Sequence, residues 1–239
     1  MNENSAHDID PRTGQPVGFA VNATPARPPQ PVRLVGRHGA VERLDPERHR
    51  GGLWEAVQGH PQIFTYMAFG PFAGLAAFSA WLVSREQSSD PYFYAVVEPS
   101  GHAVGLAALM SVRPDMRVVE VGNILLSPGL QRTALATEAQ YLLARYAFET
   151  LGYRRYEWKC DALNAASRRA ALRFGFRYEG IFRDHMIIKG RSRDTAWFAM
   201  LAAEWPERKA AFERWLAPEN FDAEGKQRER LEARSSAGL

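Results

Sequence analysis

Cysteine is almost absent from this chain, in which Cys160 is the single one among 239 residues. One thiol excludes an intrachain disulfide and is compatible with a reducing compartment. A lone cysteine at the end of a predicted strand is typically a small buried hydrophobe. We therefore expect no covalent role for Cys160.

Long apolar runs are also missing. No stretch approaches the ~18 to 20 apolar residues that a membrane helix needs. The N-terminal segment MNENSAHDIDPRTGQP lacks the basic start and the apolar centre of a secretory signal. We therefore expect a cytoplasmic protein without a membrane partner.

Lysine is scarce, so arginine supplies nearly all of the positive charge behind a net charge of +3. No dense basic stripe accompanies this charge, and nucleic acid is not an expected partner, except indirectly through the ribosome. The histidines show no metal-ligand spacing with carboxylates, so we predict no metal site. With 46% hydrophobic and 24% charged residues, the composition is typical of one globular domain with appendages.

The most informative stretch present is residues 117–144, which predicts a strand, a loop and a helix in succession. The strand, 118–126, is apolar except for Glu120 and Asn123. A break at residues 127–129 precedes a helix whose apolar residues follow a 3.6-residue period. The first backbone N–H groups of such a helix have no partners and point at the loop, which suits a pyrophosphate.

The rest of the chain predicts an α/β fold of the mixed α+β kind. Strands at 92–97, 103–112 and 118–126 with tight turns indicate an antiparallel meander, and the crossover rule makes a strand at 154–160 parallel to the last of them. Helices are predicted to begin at Asp45, at Gly70 and at Asp161 or Asn164. The predicted units are a proline-rich arm at 1–31, a domain at 32–203, a helix at 204–217 and a charged, solvated tail at 218–239.

Two blocks resemble one known family. Residues 131–136, QRTALA, resemble the Q/R-x-x-G-x-G/A acetyl-CoA loop of the GNAT acetyltransferase superfamily, with Ala134 in place of the first glycine. Residues 164–176, NAASRRAALRFGF, resemble the N-x-x-S-x-x-(A/V)-x-x-x-x-G-F block of its RimJ/RimL-type branch. The resemblance covers roughly residues 32–201.

The resemblance implies the GNAT fold: a mostly antiparallel sheet with one central, splayed parallel strand pair and helices on both faces. It also implies acetyl-CoA as co-substrate, lying between the splayed strands. Asn164 has two interpretations, as a hydrogen-bonding partner of the pantetheine amides or as the N-cap of the following helix. The implied cofactor-binding residues are Leu125, Leu126, Gln131, Arg132, Thr133, Ala134, Leu135, Ala136, Asn164 and Arg168.

Two side chains are candidates for proton transfer. Glu120 interrupts an apolar strand where the family often has a carboxylate, and burial would raise its pKa toward that of a useful base. The structural alternative is a strand-edge glutamate paired with Arg117 or Arg113. Ser167 matches the proton donor to the coenzyme A thiolate in this branch, and its alternative is a helix-surface serine. Tyr178 is a second, weaker candidate for that acid.

These inferences predict an N-acetyltransferase that moves an acetyl group from acetyl-CoA directly to a primary amine, on a protein N-terminus or a small molecule. A homodimer is compatible with the pattern. Two other hypotheses remain open: a non-catalytic acyl-CoA sensor or scaffold of the same fold, and a basic RNA- or ribosome-binding module.

Overall fold

The computed structural model describes residues 7–231 and 233. Its strands are β1 (His7–Ile9), β2 (Pro16–Gly18), β3 (Arg33–Val35), β4 (Ala40–Arg43), β5 (Tyr92–Val97), β6 (Ala103–Arg113), β7 (Val118–Leu126), β8 (Arg155–Asp161), β9 (Arg177–Ile188) and β10 (Arg191–Leu201). Its α-helices are α1 (Pro46–Val57), α2 (Leu75–Glu86), α3 (Ala134–Arg145), α4 (Ala165–Arg173) and α5 (Trp205–Leu216). Single turns of 3₁₀-helix lie at Pro61–Phe64 and Pro218–Asn220, and a π-helical turn, Tyr146–Thr150, extends α3.

Eight strands form one sheet in the order β3-β4-β5-β6-β7-β8-β10-β9, while β1 and β2 form a separate hairpin. Every neighbouring pair is antiparallel except β7 and β8, which are parallel and joined through α3. The meander and the crossover predicted from the sequence are confirmed. The predicted fold class, a mostly antiparallel sheet with one parallel pair and flanking helices, is confirmed with them.

Each face of the sheet carries its own apolar core. On one face α1 and α2 pack over β4, β5 and β6 through Leu53, Phe78 and Leu82. On the other face α3, α4 and α5 contribute the apolar side chains Leu142, Ala171 and Phe212. The candidate site lies between the two helical layers, at the end of the β7–β8 pair.

Local sequence signals set the starts of most helices. The Asp45 carboxylate accepts from the amide of Glu47 at 3.0 Å and caps α1, as predicted. The second helix was predicted to begin at Gly70, whereas α2 begins at Leu75. The preceding segment instead packs its aromatic rings on the core, with the Phe69 ring 4.3 Å from that of Trp81. Tertiary packing of aromatic rings therefore outweighs the helical pattern between Gly70 and Leu75.

A part of each terminal segment lies against the domain. In the arm, the amides of Ala26 and Arg27 donate to the carbonyls of Pro114 and Leu151 at 3.0 and 2.8 Å. Beyond α5 the chain also returns to the domain, where Leu231 is buried. Residues 223–230 are exposed, as expected of a solvated tail, whereas Asn220, Leu231 and Ala233 are buried against the domain. The remaining tail residues, 232 and 234–239, lie outside the described part.

Among the described residues, no helix combines the length and the apolar character required to cross a bilayer.

Candidate active site

The central feature of the site is a gap between two parallel strands. β7 and β8 pair only at three positions, the last of which is Glu120 opposite Glu157. Beyond it, β7 stays with β6 as far as Leu126, and β8 stays with β10 as far as Asp161. Asn123 has a φ of +49° near a shift in the β6–β7 register, and this irregularity accompanies the separation. The splayed pair predicted from the resemblance is confirmed.

The turn between β7 and α3 presents unpaired backbone donors at the end of this gap. Thr133 caps α3: its hydroxyl accepts from the amide of Ala136 at 3.1 Å and donates to the carbonyl of Leu130 at 2.7 Å. Within the described part of the chain, the amides of Arg132, Ala134 and Leu135 have no protein acceptor. Free N–H groups at a helix N-terminus favour an anion such as a diphosphate. The turn therefore fits the diphosphate of coenzyme A.

Ala134 is compatible with this turn despite replacing the usual glycine. The left-handed backbone conformation falls on Arg132, with φ +64°, and Ala134 is the first residue of α3. An added methyl group at a helical position causes no backbone strain. The departure from the family pattern at Ala134 is therefore structurally neutral.

The side chains of the turn divide into exposed and buried groups. Gln131 and Arg132 are exposed, and the Gln131 amide donates to the carbonyl of Leu126 at 3.1 Å. Leu135 and Ala136 are only 7% and 4% exposed, so these two residues face the turn through their backbone rather than their side chains.

Leu125, another residue predicted to bind the cofactor, has a buried side chain. Its side chain is 1% exposed and belongs to the core on the α1–α2 face. Any contact of Leu125 with a molecule in the gap must therefore involve its backbone.

The second helix at the gap is α4, which begins where β8 ends. The side-chain Oδ1 of Asn164 accepts from the amide of Ser167 at 3.0 Å, which confirms its interpretation as an N-cap. Arg168 donates to the carbonyl of Ala162 at 3.3 Å and is half-buried, so part of its hydrogen-bonding capacity is used within the protein. Cofactor contacts of both residues remain predictions.

Glu120 is the buried carboxylate of the site. Its Oε2 accepts from Lys159 Nζ at 2.9 Å and from Ser111 Oγ at 3.1 Å. Neither predicted arginine partner is correct, since Arg113 contacts Glu157 and Arg117 donates to the carbonyl of Gly152. Burial raises the pKa of Glu120, and this outweighs the lowering caused by the ammonium of Lys159 and the hydroxyl of Ser111.

Glu157 is a neighbouring carboxylate that the sequence analysis did not identify. Lys159 bridges the two carboxylates, at 3.0 Å from Glu157 and 2.9 Å from Glu120. Burial opposes ionisation of Glu157, but Arg155, at 2.7 Å, and Lys159 together lower its pKa. Alternation along β8 places Arg155, Glu157 and Lys159 on one face, which was a usable signal. The sequence does not show that Glu120 lies opposite these side chains, because that contact depends on the β7–β8 register.

Ser167 lies in the first turn of α4 and accepts a hydrogen bond from Trp158 Nε1 at 3.0 Å. Because this bond uses a lone pair of the serine oxygen, the hydroxyl proton stays available for donation. The nearby Cys160 is buried, and burial raises the pKa of its thiol. A protonated thiol is a poor nucleophile, in agreement with the structural role expected for it.

The two candidate groups lie on opposite faces of the sheet. Val119 and Val121 belong to the core on the α3 face, so Glu120 between them points to the α1–α2 face. Trp158, which holds Ser167, belongs to the core on the α3 face. The gap between β7 and β8 is thus bordered by a base candidate on one face and an acid candidate on the other.

Comparison with known proteins identifies the family to which this chain belongs. Residues 42–177 match the model of the acetyltransferase (GNAT) domain. The chain belongs to the GNAT acetyltransferase family. A GCN5-related N-acetyltransferase structure from Brucella melitensis is 46% identical, with a TM-score of 0.85, over 88% of this chain and 96% of that one. A GNAT-family structure from Chromobacterium violaceum is 38% identical, with a TM-score of 0.73, over 83% of this chain and 98% of that one.

A curated relative is more distant from this GNAT protein. A Bacillus subtilis (strain 168) protein named "Putative ribosomal N-acetyltransferase YdaF" is 28% identical over 109 residues. The match spans 46% of this chain and 59% of that protein. Family membership identifies acyl transfer as the chemistry of the fold, and the acceptor is a separate question.

Proposed function

We propose that this protein is an acetyl-CoA-dependent N-acetyltransferase that transfers the acetyl group directly to a primary amine in a ternary complex. The observation that carries the proposal is the gap between β7 and β8, which ends at a turn with unpaired amides and is bordered by Glu120. Acetyl-CoA supplies an acyl thioester whose thiolate leaves after attack by an amine.

The residues of the site divide the proton transfers between the two faces. Glu120 accepts a proton from the attacking amine on the α1–α2 face, and its raised pKa brings it closer to the operating pH of a general base. Its Oε2 is occupied by Lys159 and Ser111, so Oε1 is the oxygen that remains for the amine. Ser167 donates its proton on the other face, where the thiolate leaves.

The turn between β7 and α3 binds the diphosphate through the amides of Arg132, Ala134 and Leu135. These donors are fixed by the Thr133 cap, so binding requires little reordering of the backbone. Asn164 and Arg168 are the proposed side-chain contacts from α4. No step of the reaction requires Cys160.

The amine approaches from the α1–α2 face. Two hydrogen bonds connect elements across this approach: Lys189 Nζ donates to the carbonyl of Phe64 at 2.8 Å, and Tyr66 donates to the carbonyl of Leu163 at 3.3 Å. Aromatic rings of Phe69 and Trp81 lie behind the same segment. This frame favours an amine at the end of a slender chain, such as a protein N-terminus or a flexible small molecule.

Assignment to the RimJ/RimL-type branch rests on the block that begins at Asn164 and includes Ser167. The name of the Bacillus subtilis relative refers to the ribosome, which supports a ribosomal protein N-terminus as one acceptor to be tested.

A substrate panel tests the proposal. Purified protein is mixed with acetyl-CoA and, in turn, N-terminal peptides of ribosomal proteins, polyamines and aminoglycosides, and thiol release is followed. We expect release that depends on one amine class and product acetylated at nitrogen. Tight acetyl-CoA binding by calorimetry without release for any amine would contradict the proposal and support the sensor hypothesis.

A further inference from the structure

Strand β6 is irregular beside Glu120. Its register with β7 shifts between Met110 and Arg113, and Ser111 within this bulge has a φ of +49°. A left-handed conformation is unfavourable for a serine and persists only where surrounding contacts hold it.

Asp90, two residues before β5, holds the bulge with both of its carboxylate oxygens. Oδ1 accepts from the amide of Ser111 at 2.9 Å, and Oδ2 accepts from the amide of Val112 at 3.0 Å. Two parallel bonds to consecutive amides fix the backbone of the bulge more firmly than one bond would. Asp90 itself is exposed and does not contact Glu120.

The bulge determines the direction of the Ser111 side chain. In a regular strand, Ser111 would point to the face opposite that of its neighbour Met110. Met110 lies on the Glu120 face, where its sulfur would meet a methyl group added at Gly122. Ser111 nevertheless donates to Glu120 Oε2 at 3.1 Å. The bulge is thus what brings the hydroxyl to the carboxylate.

We propose that Asp90 is a positioning residue that holds the β6 bulge, so that the Ser111 hydroxyl orients the carboxylate of Glu120 for proton transfer. The role of Glu120 in proton transfer rests on the proposed function, whereas the chain of contacts from Asp90 through Ser111 to Glu120 does not depend on it. No other role in the site requires an aspartate at residue 90.

The charged and polar groups around Glu120 determine its pKa, which is the quantity that the test measures. Among the described residues, Lys159 and Ser111 contact Glu120. Lys159 separates Glu120 from Glu157, whose carboxylate is paired with Arg155 and Arg113. The Ser111 bond stabilises the charged form of Glu120. Loss of that bond raises the pKa of Glu120 further, and the acidic limb of kcat/KM moves to higher pH.

The test combines carbon-13 NMR titration of the Glu120 carboxyl group with pH–rate profiles of the full chain. Asp90→Ala, Ser111→Ala and the double variant are compared, with Asp90→Asn, which keeps one acceptor oxygen, as the milder substitution. We expect each single variant to raise the pKa of Glu120 and to lower kcat/KM about tenfold at acidic pH. The double variant should add little, because both changes remove one interaction. Asp115→Asn, an exposed acid on the neighbouring turn, is the matched control.

The outcomes separate this inference from the proposed function. A raised pKa of Glu120 in the Ser111 variant but not in either Asp90 variant overturns the positioning role. An additive double variant also overturns it. A pKa that rises in all variants while the rates stay unchanged confirms the positioning and instead removes Glu120 from the mechanism.

Discussion

The two halves of the β7–β8 pair differ sharply, although both strands are continuous. At the paired end, three positions are bonded between Val118–Glu120 and Arg155–Glu157. At the open end, each strand keeps only its outer neighbour, and the helices α3 and α4 begin there. The paired half holds the sheet together, while the open half provides the space and free backbone groups that a cofactor needs.

The boundary between the halves places two carboxylates in different environments. Glu120 and Glu157 are opposite each other, and both are buried. The pKa of Glu157 is lowered by Arg155 and Lys159, whereas that of Glu120 is raised because burial outweighs its single ammonium neighbour. Neighbouring carboxyl groups with pKa values shifted in opposite directions are typical of sites that divide acid–base roles. The difference supports the proposed base role of Glu120 and favours a structural role for Glu157.

The largest effect is expected from Glu120→Gln. The variant keeps the shape of the side chain but cannot accept the proton, so kcat should fall about 10²- to 10⁴-fold. Acetyl-CoA affinity, measured by calorimetry, should stay nearly constant because Glu120 lies at the paired end of β7, whereas the diphosphate turn follows Leu126. Glu55→Gln, at a side chain that is 67% exposed, is the control. An unchanged rate would remove Glu120 from the reaction.

Ala134→Pro tests diphosphate binding at the open end of the β7–β8 pair. Proline is tolerated at the first position of a helix but has no N–H, so the variant removes one free amide of the turn with little cost to α3. Hydrogen bonds to charged groups contribute about 1.5–3 kcal/mol, so coenzyme A affinity should fall roughly tenfold to a hundredfold. Thermal unfolding should change little, because proline fits the first position of a helix, as Pro46 does in α1. Unaltered affinity would place the diphosphate elsewhere.

Gly122→Ala tests the space beside Glu120. A Cβ there would lie 2.5 Å from Met110 Sδ and 3.2 Å from Glu120 Oε1, so the carboxylate or the sulfur must move. We expect a loss of about 1–3 kcal/mol in unfolding free energy, with a lower kcat. Gly51→Ala on α1, where an added methyl meets no atom within 4 Å, should instead be neutral or stabilising. Wild-type kcat in Gly122→Ala would contradict a displacement of the Glu120 carboxylate and leave Met110 as the group that moves.

Glu157→Gln is expected to have the smallest effect, which is a loss of stability. The folded-state pKa of Glu157 is lowered, so its ionised form stabilises the fold above the unfolded pKa, and this contribution is lost as pH falls through the folded pKa. Glu157→Gln should therefore cost about 1–2 kcal/mol near neutral pH and progressively less in acid. Urea unfolding at several pH values measures the difference.

The contribution of Glu120 to stability depends on pH in the opposite direction. Its folded-state pKa is raised, so its contribution is present below the unfolded pKa and is lost as pH rises through the folded pKa. Glu120→Gln should therefore retain or exceed wild-type stability near neutral pH. Equal losses in Glu120→Gln and Glu157→Gln would contradict the distinction between the two carboxylates.

Much of the fold was predictable because its signals are local. Apolar periodicity placed β7 and α3, and the capping residues Asp45 and Asn164 marked helix starts that the structure confirms. The predicted start of the second helix was wrong, since the ring of Phe69 packs on that of Trp81, a contact that helical periodicity alone does not show. Lys159 and Glu157 were missed as neighbours of Glu120 for a similar reason. Their contact exists only in one register of β7 and β8.

The sequence by itself determined the succession of strands and helices, the turn at the start of α3 and the presence of a polar residue within an apolar strand. Those properties follow from hydrophobic period, turn chemistry and capping, which act over a few residues. Only the tertiary structure decided where β7 and β8 separate, which ammonium neutralises which carboxylate, and how Asp90 reaches Ser111. Such contacts join residues tens of positions apart, and they become fixed when the sheet register, the bulges and the two helical layers are set together.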